Sequence, residues 1–168
     1  MKAALVTIST SRAAGVGRDR SGERLRDFAQ RLGLQVAGQE VISDDRAGIE
    51  GRLCHWADVE RCALVLTSGG TGLSPSDVTP EATRAVIERE IPGITLAMLL
   101  ASREHTRHWM LSRALAGVRG STLIVNFPGR PESIAQAGEA IAQAIPHALE
   151  LIAGHEGGHR AHKALGRP

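Results

Sequence analysis

The sequence contains no tyrosine, and apart from histidine its only aromatic side chains are Phe28, Phe127, Trp56 and Trp109. That scarcity excludes the interleaved aromatic platform on which single-stranded nucleic acids stack, and it requires an aliphatic core. Cysteine is equally sparse. Cys54 and Cys62 are eight positions apart, outside the spacings of zinc and redox pairs, so both are read as reduced packing residues. No run approaches the roughly eighteen apolar residues that a membrane span needs, and the short apolar stretch after Lys2 is too brief for a leader. Charge is unconcentrated as well. Twenty basic and 18 acidic residues leave a formal +2 with the arginines scattered, which argues against a polyanion-binding patch. The expectation is a soluble, cytoplasmic protein that binds neither nucleic acid nor membrane.

What is present is an aliphatic chain of 168 residues, 42% hydrophobic, enough for one core. Branched apolar runs at Ala3 to Ile8, Leu34 to Ile42, Ala63 to Thr67 and Thr122 to Phe127 predict strands. The first, third and fourth lack clean alternation, as strands buried on both faces do. Between them Leu25, Phe28, Ala29 and Leu32 mark one amphipathic helix, and Ile49, Leu53, Trp56 and Ala57 another. This alternation predicts an α/β fold with a mostly parallel sheet. Thr79 before Pro80 predicts a helix start with the hydroxyl as cap, running to about Glu88. Ile91-Pro92-Gly93 then interrupts before an apolar helix over Ile94 to about Ser102. A last helix from about Glu132 carries Ile134, Ala137, Ile141, Ile145, Leu149 and Ile152, and Pro146 should kink or divide it. One domain is expected over residues 1–153, with 154–168 as a solvated tail. His155, His159 and His162 fall in that tail at the spacing of one helical face, and they are read as solvated rather than as metal ligands.

In such sheets ligands collect at the carboxyl ends of the strands, where loop amides and helix N-termini converge. Four loops should share that edge: Ser9 to Ser21, Ser43 to Arg46, Ser68 to Val78, and Pro128 to Ser133. The third reads SGGTGLSPSDV. Its glycines can turn amides toward one anion, although it is neither a Lys-Ser/Thr phosphate loop nor G-x-G-x-x-G. Asp77, just before a helix start, could join bound phosphate in holding magnesium, which takes one or two carboxylates plus phosphate oxygens. Asp44 and Asp45 sit in the neighbouring loop, where N-capping is the ordinary role. Hydroxyls or Arg113 could contact a polar ligand, and Gly129 would permit close backbone approach. No G-x-S-x-G nucleophile elbow occurs, and His105 and His108 read as the surface of a helix end.

Taken together, TSGGTGLSPSDVTPEAT at 67–83, SDD at 43–45, IERE-IPG at 87–93 and LSRALAGVRGSTLIVNFPGRPESI at 111–134 resemble the MogA/MoaB family of molybdenum-cofactor biosynthesis proteins. The likeness extends from about Leu5 to Leu151. It implies a three-layer α/β/α fold, a homotrimer, and transfer of AMP from Mg-ATP to the phosphate of molybdopterin. Residue by residue, it implies that Asp44 and Asp77 are catalytic and hold Mg2+, and that Gly69, Gly70, Thr71 and Gly72 form the phosphate and pterin loop. Ser112, Arg113, Ser121, Pro128 and Gly129 would contact substrate, and a downstream molybdenum insertase would be a partner. Two positions depart from the family pattern: Ser76 stands where many relatives carry a basic residue, and Thr10 where several place an acid. Two other readings stay open here. One is a pterin-binding protein that turns nothing over; the other is a nucleotide pyrophosphatase related to the N-terminal domain of competence-damage proteins.

Overall fold

The computed structural model describes residues 1–154. Its six strands are β1 (Lys2–Ile8), β2 (Gln35–Ile42), β3 (Leu64–Ser68), β4 (Arg89–Glu90), β5 (Ala116–Arg119) and β6 (Thr122–Phe127). They form one sheet in the order β2-β1-β3-β6-β5-β4. β2, β1, β3 and β6 are mutually parallel, while β5 runs antiparallel to both β6 and β4. Helices α1 (Thr10–Ala13), α2 (Arg20–Arg31), α3 (Arg46–Cys54), α4 (Thr79–Val86), α5 (Pro92–Arg103), α6 (Pro131–Ile141) and α7 (Ala144–Ile152) complete the domain.

Side-chain alternation along the strands builds three layers. Leu5, Leu64, Leu66, Leu123, Val125 and Phe127 pack against α2, α5, α6 and α7. Val6, Ile8, Val65 and Ile124 point the other way, onto Ile49, Leu53, Ala82 and Val86 of α3 and α4. β1, β3 and β6 are buried on both faces except at Lys2, whereas β2, on the sheet edge, has no fully buried residue. That difference is why three of the four strands read as continuous apolar runs. Both cysteines are free thiols on the α3/α4 side, Cys62 in the core and Cys54 packed against it. Burial pushes the Cys62 thiol up, as expected of an inert packing residue.

Three features differ from the sequence-based expectations. β4 and β5 extend the sheet beyond the four expected strands. Their pairing is tertiary, and Gly117 is needed because a Cβ there would meet Ile87 Cδ1 at 2.4 Å and Arg89 O at 2.7 Å. Thr79 is not a cap. Its side chain is fully buried and its hydroxyl donates to Gly69 O at 2.9 Å, leaving α4 to start without a side-chain cap. α4 also stops at Val86, because the chain turns there into β4. The last helix is divided at Ala142–Gln143, the point where Pro146 can supply no N–H to the carbonyl four residues back. The tail and its histidines lie outside the described residues. No described helix is long and apolar enough to cross a membrane.

The sheet order places a topological switch between β1 and β3, since the chain leaves β1 to one side for β2 and returns on the other. Register makes the carboxyl ends flush. Thr7 pairs with Ser68, Ser68 with Phe127, and Ile8 with Ile42. All four loops therefore meet at one edge, the crevice where open α/β sheets bind ligands.

Candidate active site

The segment after β3 is forced into an unusual path by its neighbours. Gly69 has φ +107°, and a Cβ there would lie 2.2 Å from Ile8 O; Gly70 has φ +62°, and its Cβ would lie 2.3 Å from Thr79 Oγ1. Only glycine fits both positions. From Gly69 to Gly72 every carbonyl is held from behind. Gly69 O takes the Thr79 hydroxyl, Gly70 O the Thr79 amide at 3.1 Å, Thr71 O the Arg113 amide at 2.9 Å, and Gly72 O the Arg113 Nε at 2.7 Å. Across a planar trans peptide the carbonyl and the next N–H point oppositely, and no peptide here is cis. The amides of Gly70, Thr71 and Gly72 are therefore turned outward, and they meet no acceptor among the described residues. Such a run of free amides is an anion-binding concavity.

The two aspartates of the Ser43 loop separate in role. Asp45 caps α3, accepting the Gly48 amide at 2.7 Å. Asp44 turns toward the glycine loop instead. Its Oδ2 accepts the Thr10 amide at 2.7 Å and the Thr10 hydroxyl at 2.8 Å, and its Oδ1 lies 3.5 Å from where a Gly70 Cβ would be. Asp77 flanks the other end of the loop. Its Oδ2 accepts the Ser74 amide at 2.8 Å and lies 2.9 Å from a Cβ placed on Gly72. Each carboxylate thus has one oxygen fixed by the protein, while the other takes no hydrogen bond from the described residues.

Two cavities open beside this loop. One, about 550 Å³, is lined by Gly70, Thr71, Gly72, Asp77, Ser112 and Pro128 among others; a second, about 390 Å³, lies beyond Gly69 beside the first loop and α2. Gly129 and Glu132 border both. The Pro128–Gly129 turn is seated by Ser68 Oγ donating to Pro128 O at 2.9 Å and Ser21 Oγ donating to Gly129 O at 2.8 Å. A Cβ on Gly129 would lie 3.4 Å from Gly69 Cα, an ordinary contact that sets the two loops against each other.

Two of the expected substrate contacts, Ser121 and Arg113, line neither of these cavities. Ser121 is exposed in the β5–β6 hairpin, at the amino end of β6 and so at the opposite edge of the sheet. Its place just before a strand parallel to β3 already sets it at the amino edge, and the β5–β6 hairpin keeps it there. Arg113 is engaged by the protein rather than by a cavity: besides Gly72 O, it donates through Nη2 to Asp77 O at 2.5 Å and through Nη1 to the Glu81 carboxylate. Burial raises the Glu81 carboxyl, but hydrogen bonds from its own amide and from Arg113, with the Arg113 and Arg84 charges, bring it net below its usual value. Conversely, His105, Thr106, His108 and Trp109 line the larger cavity. The sequence put these histidines on a helix end; only the fold of the chain after α5 reveals what that end faces.

A family model described as "probable molybdopterin binding domain" matches residues 4–147. The chain belongs to this molybdopterin-binding-domain family. Its relatives include the molybdopterin adenylyltransferase of Helicobacter pylori strain J99, 36% identical over 153 residues, covering 90% of this chain and 87% of that protein. The molybdenum cofactor synthesis protein cinnamon of Drosophila melanogaster is 38% identical over 152 residues; the match covers 88% of this chain but only 25% of that longer protein. Among solved structures, the molybdopterin biosynthesis enzyme MoaB of Thermus thermophilus superposes with a TM-score of 0.86 at 40% identity, covering 91% of this chain and 96% of that one.

Both departures from the family pattern have a definite placement. The Ser76 hydroxyl stays within the loop, 3.0 Å from that of Ser74. Thr10, in the first turn after β1, is the residue that fixes Asp44. Arg130, exposed on the wall of the larger cavity, has no ionic partner among the described residues.

Proposed function

We propose that this chain is a molybdopterin adenylyltransferase acting in molybdenum-cofactor biosynthesis. A phosphate oxygen of molybdopterin attacks the α-phosphorus of ATP. The new P–O bond forms as the bond from that phosphorus to the oxygen bridging to the β-phosphate breaks, and pyrophosphate leaves. The observation that carries the reading is the row of outward amides at Gly70, Thr71 and Gly72, flanked by Asp44 and Asp77. Phosphoryl-type transfer depends chiefly on positioning and charge neutralisation, and fixed amides on a rigid loop supply both without reorganising.

Asp44 and Asp77 suit magnesium shared with a nucleotide. Each offers one oxygen not used by the protein, and no group of three His, Cys, Asp or Glu among the described residues could hold a metal alone. Magnesium takes few carboxylates and completes its shell from substrate phosphates and water. Bound there, it would offset the charge of the departing pyrophosphate. Thr10 and the Ser74 amide hold the two carboxylates in place, Arg130 attracts the anionic substrates, and the β1, β3 and β6 ends keep the loop rigid. Exposed Leu96 and Leu100 on α5, 56% and 50% accessible, suit a self-association surface, and we take the working unit to be a cytoplasmic homotrimer handing product to a molybdenum insertase.

Incubating the protein with molybdopterin and α-phosphate-labelled Mg-ATP tests this. Label should enter the pterin as pyrophosphate appears, and Asp77→Asn or omission of magnesium should abolish it. Full transfer by Asp77→Asn at saturating magnesium would sink the proposal. Tight pterin binding by the unaltered protein without label transfer would make the chain a binding member of its family instead.

A further inference from the structure

We propose that Arg113 is a positioning residue: its side chain clamps the outgoing half of the glycine loop, from Gly72 O to Asp77 O, and so fixes Asp77 beside the outward amides, and it does not touch the substrate itself. The inference rests on the proposed function in taking those amides to receive substrate phosphate. Arg113 is the common partner of four groups that are far apart in sequence from it. Its amide bonds Thr71 O at 2.9 Å, Nε bonds Gly72 O at 2.7 Å, Nη2 bonds Asp77 O at 2.5 Å, and Nη1 bonds the Glu81 carboxylate in the first turn of α4. Each of its three guanidinium nitrogens thereby donates to the protein, and it lines neither of the two cavities.

The shape of the group matters as much as its charge. A guanidinium is a rigid planar fork that can bond acceptors on several sides at once, whereas an ammonium is a point charge on a flexible stem. Of these four bonds, the amide contact to Thr71 needs no particular side chain at 113, but the other three need the fork. Without it Gly72 O and Asp77 O lose their partners, the Gly72–Leu73 and Asp77–Val78 peptides can rotate, and Asp77 loses its fixed position beside Gly72. The side chain would therefore act on the carboxylate half of the site, while the Arg113 amide, through Thr71 O, holds the peptide that carries the Gly72 N–H.

Arg113→Lys and Arg113→Met, made in the full chain, test this with two readouts. Without ligand, hydrogen exchange is followed at the Asp77 and Thr79 amides, which bond Ser74 O and Gly70 O inside the loop. ATP binding is measured by calorimetry with magnesium present. Both variants should exchange at least several-fold faster at those amides, and both should weaken binding of ATP with magnesium by roughly 10- to 100-fold, the usual scale for loss of a group that orients a metal-holding carboxylate. The global unfolding midpoint should stay within a few degrees, and Lys should not rescue. Loss of ATP affinity with unaltered exchange would overturn the inference, since Arg113 would then contact ligand directly; so would unaltered exchange and affinity together. If Arg113→Met does not fold, Arg113→Lys and Glu81→Gln carry the same comparison. Failure of the unaltered protein to bind ATP would refute the adenylyltransferase reading, and the exchange experiment would still decide whether Arg113 orders the loop.

Discussion

Replacing Gly69 with alanine should both unfold the protein more easily and disable the site, and the size of the effect can be worked from the backbone. At φ +107° an L-residue is strained, which costs about 1–3 kcal/mol. The added methyl would also stand 2.2 Å from Ile8 O, against an ordinary contact of 3.4 Å or more, so the ends of β1 and β3 would have to separate by over an ångström. Neither can yield freely: Gly69 N bonds Phe127 O at 3.3 Å, and Gly69 O holds the Thr79 hydroxyl at 2.9 Å. Overpacking of this kind adds about 1–3 kcal/mol. The combined loss is about 2–6 kcal/mol, and with roughly 2–4 °C per kcal/mol for a chain of this size the unfolding midpoint should fall by roughly 4–24 °C. Gly51→Ala is the matched control. Gly51 sits in the exposed middle of α3 with nothing within 4 Å of an added Cβ, so the same substitution should stabilise by about 0.5–1 kcal/mol. Scanning calorimetry of the two variants, with ATP binding measured alongside, checks both signs. A Gly69→Ala protein that melts with the unaltered one and binds ATP equally would refute the reasoning.

Two further expectations concern the groups around the loop. Thr10→Val removes a hydroxyl that both donates to Asp44 Oδ2 and accepts the Asp44 amide. Manganese bound with ATP, titrated by electron paramagnetic resonance, should weaken about 10-fold, as loss of an outer-shell partner does, and Thr10→Ser should restore it; unchanged manganese affinity in Thr10→Val would remove Thr10 from the site. Because the Glu81 carboxyl is net lowered in the folded chain, its ionised form favours folding. That contribution is present above the ordinary glutamate value of about 4.3 and is lost as pH falls through the lowered folded value. The difference in unfolding midpoint between the unaltered protein and Glu81→Gln should therefore be present at neutral pH and close in strong acid, and a gap that persists at low pH would count against the Arg113–Glu81 link.

Much of the site is legible in the sequence because its residues are locally constrained. Glycines in sequence with a Thr-Pro helix start announce a turn with unusual backbone, and the aspartates on either side announce charge. What cannot be read locally is which group satisfies which. Of the adjacent Asp44 and Asp45, one caps its own helix and the other reaches a residue 34 positions earlier. Thr79 has the pattern of a cap and instead ties down Gly69, because the loop's return brings that carbonyl within reach of its hydroxyl. Arg113 has the chemistry of a ligand contact, and its guanidinium bonds Gly72 O, Asp77 O and Glu81, acceptors 32 to 41 positions earlier.

By itself the sequence determined the alternation of strands and helices, the burial of three strands on both faces, and the loop edge where an anion would sit, since each follows from the period of apolar residues and from glycine and proline chemistry along a few positions. Only the tertiary structure decided the strand order and its switch point, the β4–β5 extension of the sheet, and the clamp of Arg113 on Gly72, Asp77 and Glu81. Those depend on contacts between residues tens of positions apart, whose distances are set by packing rather than by any pattern within reach of a single turn or strand.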